Sequence, residues 1–155
     1  MLKLRVITGL LLAAALFAAV FLLPFAAFVP VAALVFFIGA WEWSRLAHFE
    51  AAARWFFALA FAALMALCGW SLGFGAPENI DARGAVLLFT LAVAWWMLGA
   101  VLVKRYPAGR ELWSRRWQQS LIGLLVIVPA WAALVFLRAQ PAGEWLIVIL
   151  VASVV

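Results

Sequence analysis

Few side chains in this sequence can do acid–base, nucleophilic or metal chemistry. The 155 residues include one histidine, His48, one cysteine, Cys68, one tyrosine and six acidic residues. The spacings typical of a zinc site, a phosphate-binding loop or a nucleophile elbow are absent from the sequence. No acidic residue falls deep in a complete apolar segment, where an ionisable group would indicate a functional site. The sequence therefore predicts no catalytic, cofactor-binding or metal-binding residue.

Residues 41–54, WEWSRLAHFEAAAR, form a tract of charges and tryptophans. Glu42 and Glu50 precede arginines by three and four residues, so one continuous helix would pair both acids with basic partners. Tryptophan rings concentrate at the membrane–water interface. Two interpretations follow: an interfacial helix whose charges are solvated or paired, which we favour, or a site where Arg45 or His48 contacts a lipid headgroup.

The segment Lys104–Ser120 carries five basic residues against the single acid Glu111, with two tryptophans four residues apart. Near a charged membrane surface each basic residue contributes about 1 kcal/mol to the binding of anionic lipid. The candidate headgroup contacts here are Arg110, Arg115 and Arg116. A pure topology signal is the simpler interpretation, which we favour, and the two are compatible.

Small residues recur along the third apolar segment at spacings of four, four, three and four: Ala58, Ala62, Ala66, Gly69 and Gly73. Such a face lets two helices approach closely in a membrane. The pattern predicts tight packing within a helix bundle, or a homodimer, and implies no catalysis.

The composition places these elements in a membrane. Hydrophobic residues make up 71% and charged residues 11% of the sequence, and the mean hydropathy is +1.21. A soluble domain is about 45–50% apolar and about 25% charged. This sequence therefore has too few polar residues to cover the surface of a soluble domain. The net charge of +5 is accordingly assigned to membrane topology, and no nucleic-acid partner is expected.

The hydropathy pattern predicts an all-α polytopic membrane protein, with residues 1–155 as a single transmembrane domain. A single helix over the first 35 apolar residues would be about 52 Å long, too long for one crossing of the bilayer. Pro24 and Pro30 favour a break into two helices. Five complete membrane helices and a truncated sixth are then expected, at Val6–Leu23, Phe25–Ala40, Trp55–Leu72, Gly84–Val103, Leu121–Leu137 and Trp145–Val155.

This division sets the orientation. It places nine basic residues on the side of the N-terminus and two on the other side, and the positive-inside rule then makes the N-terminus cytoplasmic. An uncleaved first helix is favoured over a cleaved signal peptide, because its 18-residue apolar core exceeds the usual length of about 7–15 residues. The sixth segment covers only about 16 Å as a helix, so the sequence looks like the front part of a longer protein.

Three tracts carry a resemblance to a known family: Leu2–Leu10, Gly39–Ala47 with its Trp-Glu-Trp, and Gly123–Arg138 with Val-Pro-Ala-Trp. In this order they are similar to tracts of bacterial phosphatidate cytidylyltransferases, the CDP-diacylglycerol synthases. The resemblance implies a polytopic enzyme of the bacterial inner membrane in phospholipid biosynthesis. It implies CTP and phosphatidate as substrates, CDP-diacylglycerol and pyrophosphate as products, and Mg²⁺ as cofactor.

The acidic metal-binding motifs of that family lie in its C-terminal half and have no counterpart here, so no catalytic position carries over. The resemblance thus implies a scaffold and lipid-side wall that is inactive by itself. The alternative is a small non-enzymatic helical membrane protein, such as an assembly factor or a transporter subunit. The nucleotide sequence beyond codon 155 would distinguish the two.

Overall fold

The computed structural model describes residues 14–105 and 115–154, and every regular element in these ranges is helical. Helix α1 covers residues 14–22, and a short 3₁₀ helix at Pro77–Asn79 lies between α3 and α4. The all-α prediction is confirmed. The other helices are α2 (Phe25–Leu46), α3 (Ala51–Ser71), α4 (Ala82–Lys104), α5 (Arg116–Arg138) and α6 (Gly143–Val154).

Within the described residues, four helices are long and apolar enough to cross a membrane. These are α2 to α5, with 21 to 23 residues each, or about 32–35 Å at roughly 1.5 Å per residue. Helix α6 is apolar but has only 12 residues. Residues 6–13 of the predicted first segment lie outside the described residues. The count of five complete crossings plus a sixth therefore stays a prediction.

Pro24 divides the first apolar stretch, as the sequence predicts. Helix α1 ends at residue 22, and Pro24 has extended backbone angles, φ −62° and ψ 153°. Its carbonyl then accepts hydrogen bonds from the N–H groups of Ala27 and Phe28, which open α2. Pro30 lies inside α2 without ending it.

The continuous helix expected over residues 41–54 is wrong. Helix α2 ends at Leu46, and the N–H groups of His48 and Phe49 bond back to the carbonyls of Arg45 (3.0 Å) and Ser44 (3.1 Å). His48 has a φ of +57°. These are the features of a Schellman C-cap, in which a left-handed residue reverses the chain. The turn buries Phe49, which is 5% exposed, and returns α3 alongside α2.

Helix α5 is the centre of the bundle and packs against α2, α3, α4 and α6. Its residues Trp131, Ala132 and Val135 are at most 2% exposed. In a membrane, close van der Waals packing of this kind holds helices together, because lipid tails are as apolar as the side chains. Helix α4, in contrast, packs mainly on α5, and none of the residues in its most apolar 18-residue window is buried.

The small-residue face of α3 is used partly inside the chain. Ala58 is buried, and an ideal Cβ at Gly69 would lie 3.0 Å from Cη2 of Trp131. Ala62 and Ala66 line an open apolar groove between α2 and α3. The predicted close helix approach therefore occurs between α3 and α5, and the homodimer stays a prediction.

Candidate lipid-headgroup site

The end of the bundle where α2 finishes and where α3 and α5 begin is called the basic end, comprising residues 41–55 and 115–120. One long-range hydrogen bond fixes its geometry: Nε1 of Trp43 donates to the carbonyl of Gln119 at 3.0 Å. The two residues are 76 positions apart in the sequence. This bond brings the Trp-Glu-Trp tract against the first turn of α5.

Gly123 makes room for that contact. A Cβ built on Gly123 would lie 2.6 Å from Nε1 and 2.8 Å from Cδ1 of Trp43, closer than any side chain allows. The indole thus lies directly over the backbone of α5. Two of the three tracts that carry the family resemblance, Gly39–Ala47 and Gly123–Arg138, meet at this point, whereas Leu2–Leu10 lies outside the described residues.

Arg115 and Arg116 begin α5. The Arg115 N–H donates to Oε1 of Gln118 at 3.0 Å, which caps the helix. Nη1 of Arg116 donates to Oε1 of Glu50 at 2.8 Å, and both side chains are mostly exposed, 62% and 75%. The first turn of α5 holds no acidic residue, so both arginines add to the positive end of the helix dipole instead of offsetting it. At this position the two arginines do not stabilise the helix, but they can attract an anion from outside the protein.

Arg45 pairs with Glu42 at 2.9 Å on the exposed surface of α2, which confirms the pairing expected from their spacing. The second expected pair, Glu50 with Arg54, is wrong. Nη2 of Arg54 instead donates to the carbonyl of Phe49 at 3.3 Å, and its guanidinium lies over the ring of Trp41 at 5.5 Å. Glu50 is the N-cap of α3, with extended backbone angles (φ −64°, ψ 159°), and its carboxylate pairs with Arg116 instead.

Tryptophans surround these charges. Trp41 and Trp55 meet edge to face with ring centroids 4.8 Å apart. Trp55 and Trp117 are 60% and 58% exposed, as expected of rings at headgroup depth. His48 bonds through Nδ1 to the carbonyl of Leu46 at 2.7 Å, which requires the proton on Nδ1. The cap position explains this histidine, and a ligand role is not needed.

Of the candidate headgroup contacts, Arg45, Arg115 and Arg116 are all exposed and lie on the helix turns that meet at the basic end. Arg110 lies outside the described residues. The ion pair of Arg116 with Glu50, 66 positions away, was missed by reasoning from the sequence. No local spacing signals a pair that forms only when α3 and α5 pack together.

Arg138, at the opposite end of α5, is one of the two basic residues that the predicted topology places on the side away from the N-terminus. Its side chain is 14% exposed and pairs with Glu144 at 2.6 Å. Its Nε and Nη2 donate to the carbonyls of Val20 at 3.0 Å and Leu23 at 3.4 Å. One guanidinium therefore joins α1, α5 and α6. The sequence does contain a signal for this pair: a basic residue ends α5 and an acidic residue begins α6, and both positions are favoured by the helix dipoles.

The acidic residues that the structure describes are dispersed. Glu42, Glu50 and Glu144 each pair with an arginine, and Oδ1 of Asp81 accepts the N–H of Arg83 at the start of α4. Among the described residues, no three His, Cys, Asp or Glu side chains come together in a way that could hold a metal ion. This part of the chain therefore does not fit the ligand set that Mg²⁺ requires.

Comparison with known proteins supports the family resemblance that the three tracts carry. The chain matches the cytidylyltransferase family over residues 3–155. It is 40% identical to the phosphatidate cytidylyltransferase of Pseudomonas aeruginosa over 148 residues, covering 96% of this chain and 51% of the relative. The phosphatidate cytidylyltransferase of Haemophilus influenzae is 31% identical over 146 residues, covering 90% and 50%. The chain thus spans about half the length of these curated relatives. No solved structure matches it significantly.

Proposed function

Because this chain belongs to the cytidylyltransferase family, we propose that it supplies the amino-terminal, lipid-facing half of a phosphatidate cytidylyltransferase. The observation that carries the proposal is the 40% identity to such an enzyme along 96% of the chain. In this proposal, CTP and phosphatidate are the substrates of the complete protein, and CDP-diacylglycerol and pyrophosphate are its products. Mg²⁺ is the cofactor of the complete protein.

The proposal divides the work between two halves. Attack of a phosphatidate oxygen on the α-phosphorus of CTP gathers negative charge, which a divalent metal neutralises when it is bound. Four of the five acids in the described residues are engaged with arginines or a helix cap, and these residues hold no cluster that could bind a metal ion, so we assign the metal-holding acids to the other half. This half provides the helical scaffold and the wall against which the lipid substrate lies.

The basic end is proposed to gather phosphatidate at the membrane surface through Arg45, Arg115 and Arg116, together with Arg110 of the segment Lys104–Ser120. The ion pairs of Arg45 and Arg116 are exposed, and exposed pairs contribute only about 0–1 kcal/mol. A phosphate can displace a carboxylate from such a pair, because the guanidinium fork binds its oxygens in a bidentate manner.

The proposed location is the bacterial inner membrane, with the basic end and the N-terminus in the cytoplasm, where CTP is available. The nine-to-two distribution of basic residues supports it. A reporter active only in the periplasm should work when fused after Asn79, and one active only in the cytoplasm should work after Gly109. The reverse pattern at either site would overturn this orientation.

An assay of CDP-diacylglycerol formation tests the proposed division of work between the two halves. A chimera that carries residues 1–155 in place of the matching half of the Pseudomonas aeruginosa enzyme should form labelled CDP-diacylglycerol from CTP and phosphatidate with Mg²⁺. The 155-residue chain alone should form none under the same conditions. Metal-dependent product from the short chain alone would refute the division, and a membrane-inserted chimera without activity would argue against the proposed function.

A further inference from the structure

An open groove runs between α3 and α5, starting at Arg116 and descending toward the middle of the bundle. Its volume is about 530 Å³. On α5 its wall follows positions four residues apart, and on α3 small and aromatic side chains alternate. Its lining includes Ala53, Phe56 and Ala60 of α3 and Arg116, Ser120 and Leu124 of α5. Eight residues of helix give the groove a length of about 12 Å.

The polarity of the groove changes along its length. Arg116 stands exposed at the mouth. One turn further, Oγ of Ser120 donates to the carbonyl of Arg116 at 3.1 Å, so its hydroxyl proton needs no other acceptor. Below this level the walls named above, Phe56, Ala60 and Leu124, are apolar. The groove therefore suits a molecule with a negatively charged head and an apolar tail.

We propose that this groove holds one acyl chain of an anionic glycerophospholipid whose phosphate binds Arg116. The inference rests on the proposed function, since it deepens the headgroup role given there to the basic end. A transmembrane helix is the less suitable occupant, because it needs about 30 Å of apolar surface to cross the bilayer, whereas this groove is about 12 Å long and opens at a charged mouth. The charge at the mouth selects an anionic head, because Arg116 lines the groove there and its only acidic partner among the described residues is the exposed Glu50.

Glu50 competes with the lipid in this arrangement. It holds Arg116 through a contact at 2.8 Å, and both side chains are exposed, so the carboxylate can leave without exposing a buried charge. The two partners of the same ion pair should then have opposite effects on lipid binding. Removing the charge of Arg116 weakens binding, whereas removing the charge of Glu50 strengthens it.

The probe is phosphatidate with a photoreactive group in the middle of one acyl chain, in phosphatidylcholine nanodiscs that contain the 155-residue chain. Cross-linked peptides from α3 and α5 are quantified by mass spectrometry. Arg116→Gln should lower the yield about fivefold, the factor that loss of one basic residue near a charged surface implies. Glu50→Gln should raise the yield, and Arg83→Gln, an exposed arginine of α4, serves as the charge control.

A second pair of variants tests the groove itself. Ala60→Leu places three more carbon atoms where the acyl chain lies and should lower the yield several-fold. Ala62→Leu makes the same change on α3 at an exposed residue on the opposite face, in the groove between α2 and α3, and should leave the yield unchanged. Ala53→Leu, at an exposed residue nearer the mouth, repeats the test should Ala60→Leu unfold the protein, and thermal unfolding checks every variant.

The outcomes separate the two proposals. The amount of phosphatidate that co-purifies with each variant is measured beside the cross-linking yield. If Ala60→Leu and Ala53→Leu keep the wild-type yield while Arg116→Gln lowers the retained phosphatidate, acyl-chain binding in the groove is refuted and the headgroup contact stands. If neither Arg116→Gln nor Glu50→Gln changes the retained phosphatidate, the headgroup role of Arg116 fails, and the groove proposal fails with it. Equal cross-linking by a photoreactive phosphatidylcholine would refute selection for an anionic head.

Discussion

Arg116 and Arg138 begin and end the same helix, but their surroundings differ. Arg116 is 62% exposed and reaches one carboxylate, that of Glu50. Arg138 is 14% exposed, pairs with Glu144, donates to two carbonyls at the end of α1, and lies 5.8 Å from the ring centre of Phe28. The first arginine can exchange its partner for a ligand, and the second holds helices together.

The helix dipole explains part of this contrast. A positive charge is favourable at the C-terminus of a helix and unfavourable at its N-terminus. Arg138 and Glu144 satisfy the dipoles of α5 and α6 as well as each other, while Arg116 adds to the positive end of α5. We infer that the opposite end is arranged for stability and the basic end for binding.

The largest effect is expected at Arg138. Arg138→Gln leaves Glu144 without its partner and two carbonyls without their charged donor, which should cost about 3 kcal/mol of unfolding free energy. Arg116→Gln breaks an exposed pair and should cost less than about 1 kcal/mol. Unfolding of both variants in detergent micelles, followed by circular dichroism, gives the comparison.

Two further variants sharpen this test. Glu144→Gln should destabilise the protein in the same direction, and the double variant with Arg138→Gln should lose less than the sum of the single losses, because the two side chains interact. Arg83→Gln provides a control at an exposed arginine. Equal stability of Arg138→Gln and Arg116→Gln would erase the proposed difference between the two ends.

A smaller effect is expected where the basic end is held together. Gly123→Ala forces a methyl group against the indole of Trp43 and should cost about 1–3 kcal/mol, the usual range for overpacking. Gly99→Ala, in α4, meets nothing within 4 Å and should stabilise the helix by up to about 1 kcal/mol. If the two glycine variants change the unfolding free energy in opposite directions, contact with Trp43 rather than helix propensity sets the effect at Gly123. A neutral Gly123→Ala would argue against that contact.

The smallest effect concerns the turn between α2 and α3. His48 has a φ of +57°, which a β-branched residue tolerates poorly. His48→Val should therefore cost about 1–2 kcal/mol, while His48→Gly should keep or slightly raise stability. Lipid retention should be unchanged in the glycine variant. A loss of phosphatidate binding in His48→Gly, with stability intact, would instead give the imidazole a direct role.

Local features of this molecule could be predicted from the sequence. The lengths of the apolar segments predict the helices, Pro24 predicts the break in the first stretch, and the spacing of Glu42 and Arg45 predicts their ion pair. Each of these features depends only on neighbouring residues. The Schellman turn at His48 was missed, since histidine does not mark a left-handed position as glycine does.

The tertiary contacts could not be predicted. Trp43 meets Gln119, Glu50 meets Arg116 and Arg138 meets Val20 across 76, 66 and 118 positions. Each requires the packing of two particular helix faces. Apolar segments of similar composition offer many such pairings, so hydropathy alone does not choose among them. The candidate arginines were found from the sequence, and so was the local partner of Arg45, but the long-range partner of Arg116 was not.

The amount of phosphatidate that co-purifies with the protein tests the headgroup role of the basic end most directly. We compare wild type with the variant in which Arg110, Arg115 and Arg116 are all glutamine, at low and at high salt. The variant should lose most of the bound phosphatidate at low salt, and wild type should approach it at high salt, because exposed charges are screened beyond a Debye length of about 8 Å at physiological ionic strength. If the variant retains as much phosphatidate as wild type at low salt, the segment is only a topology signal and the basic end does not gather lipid.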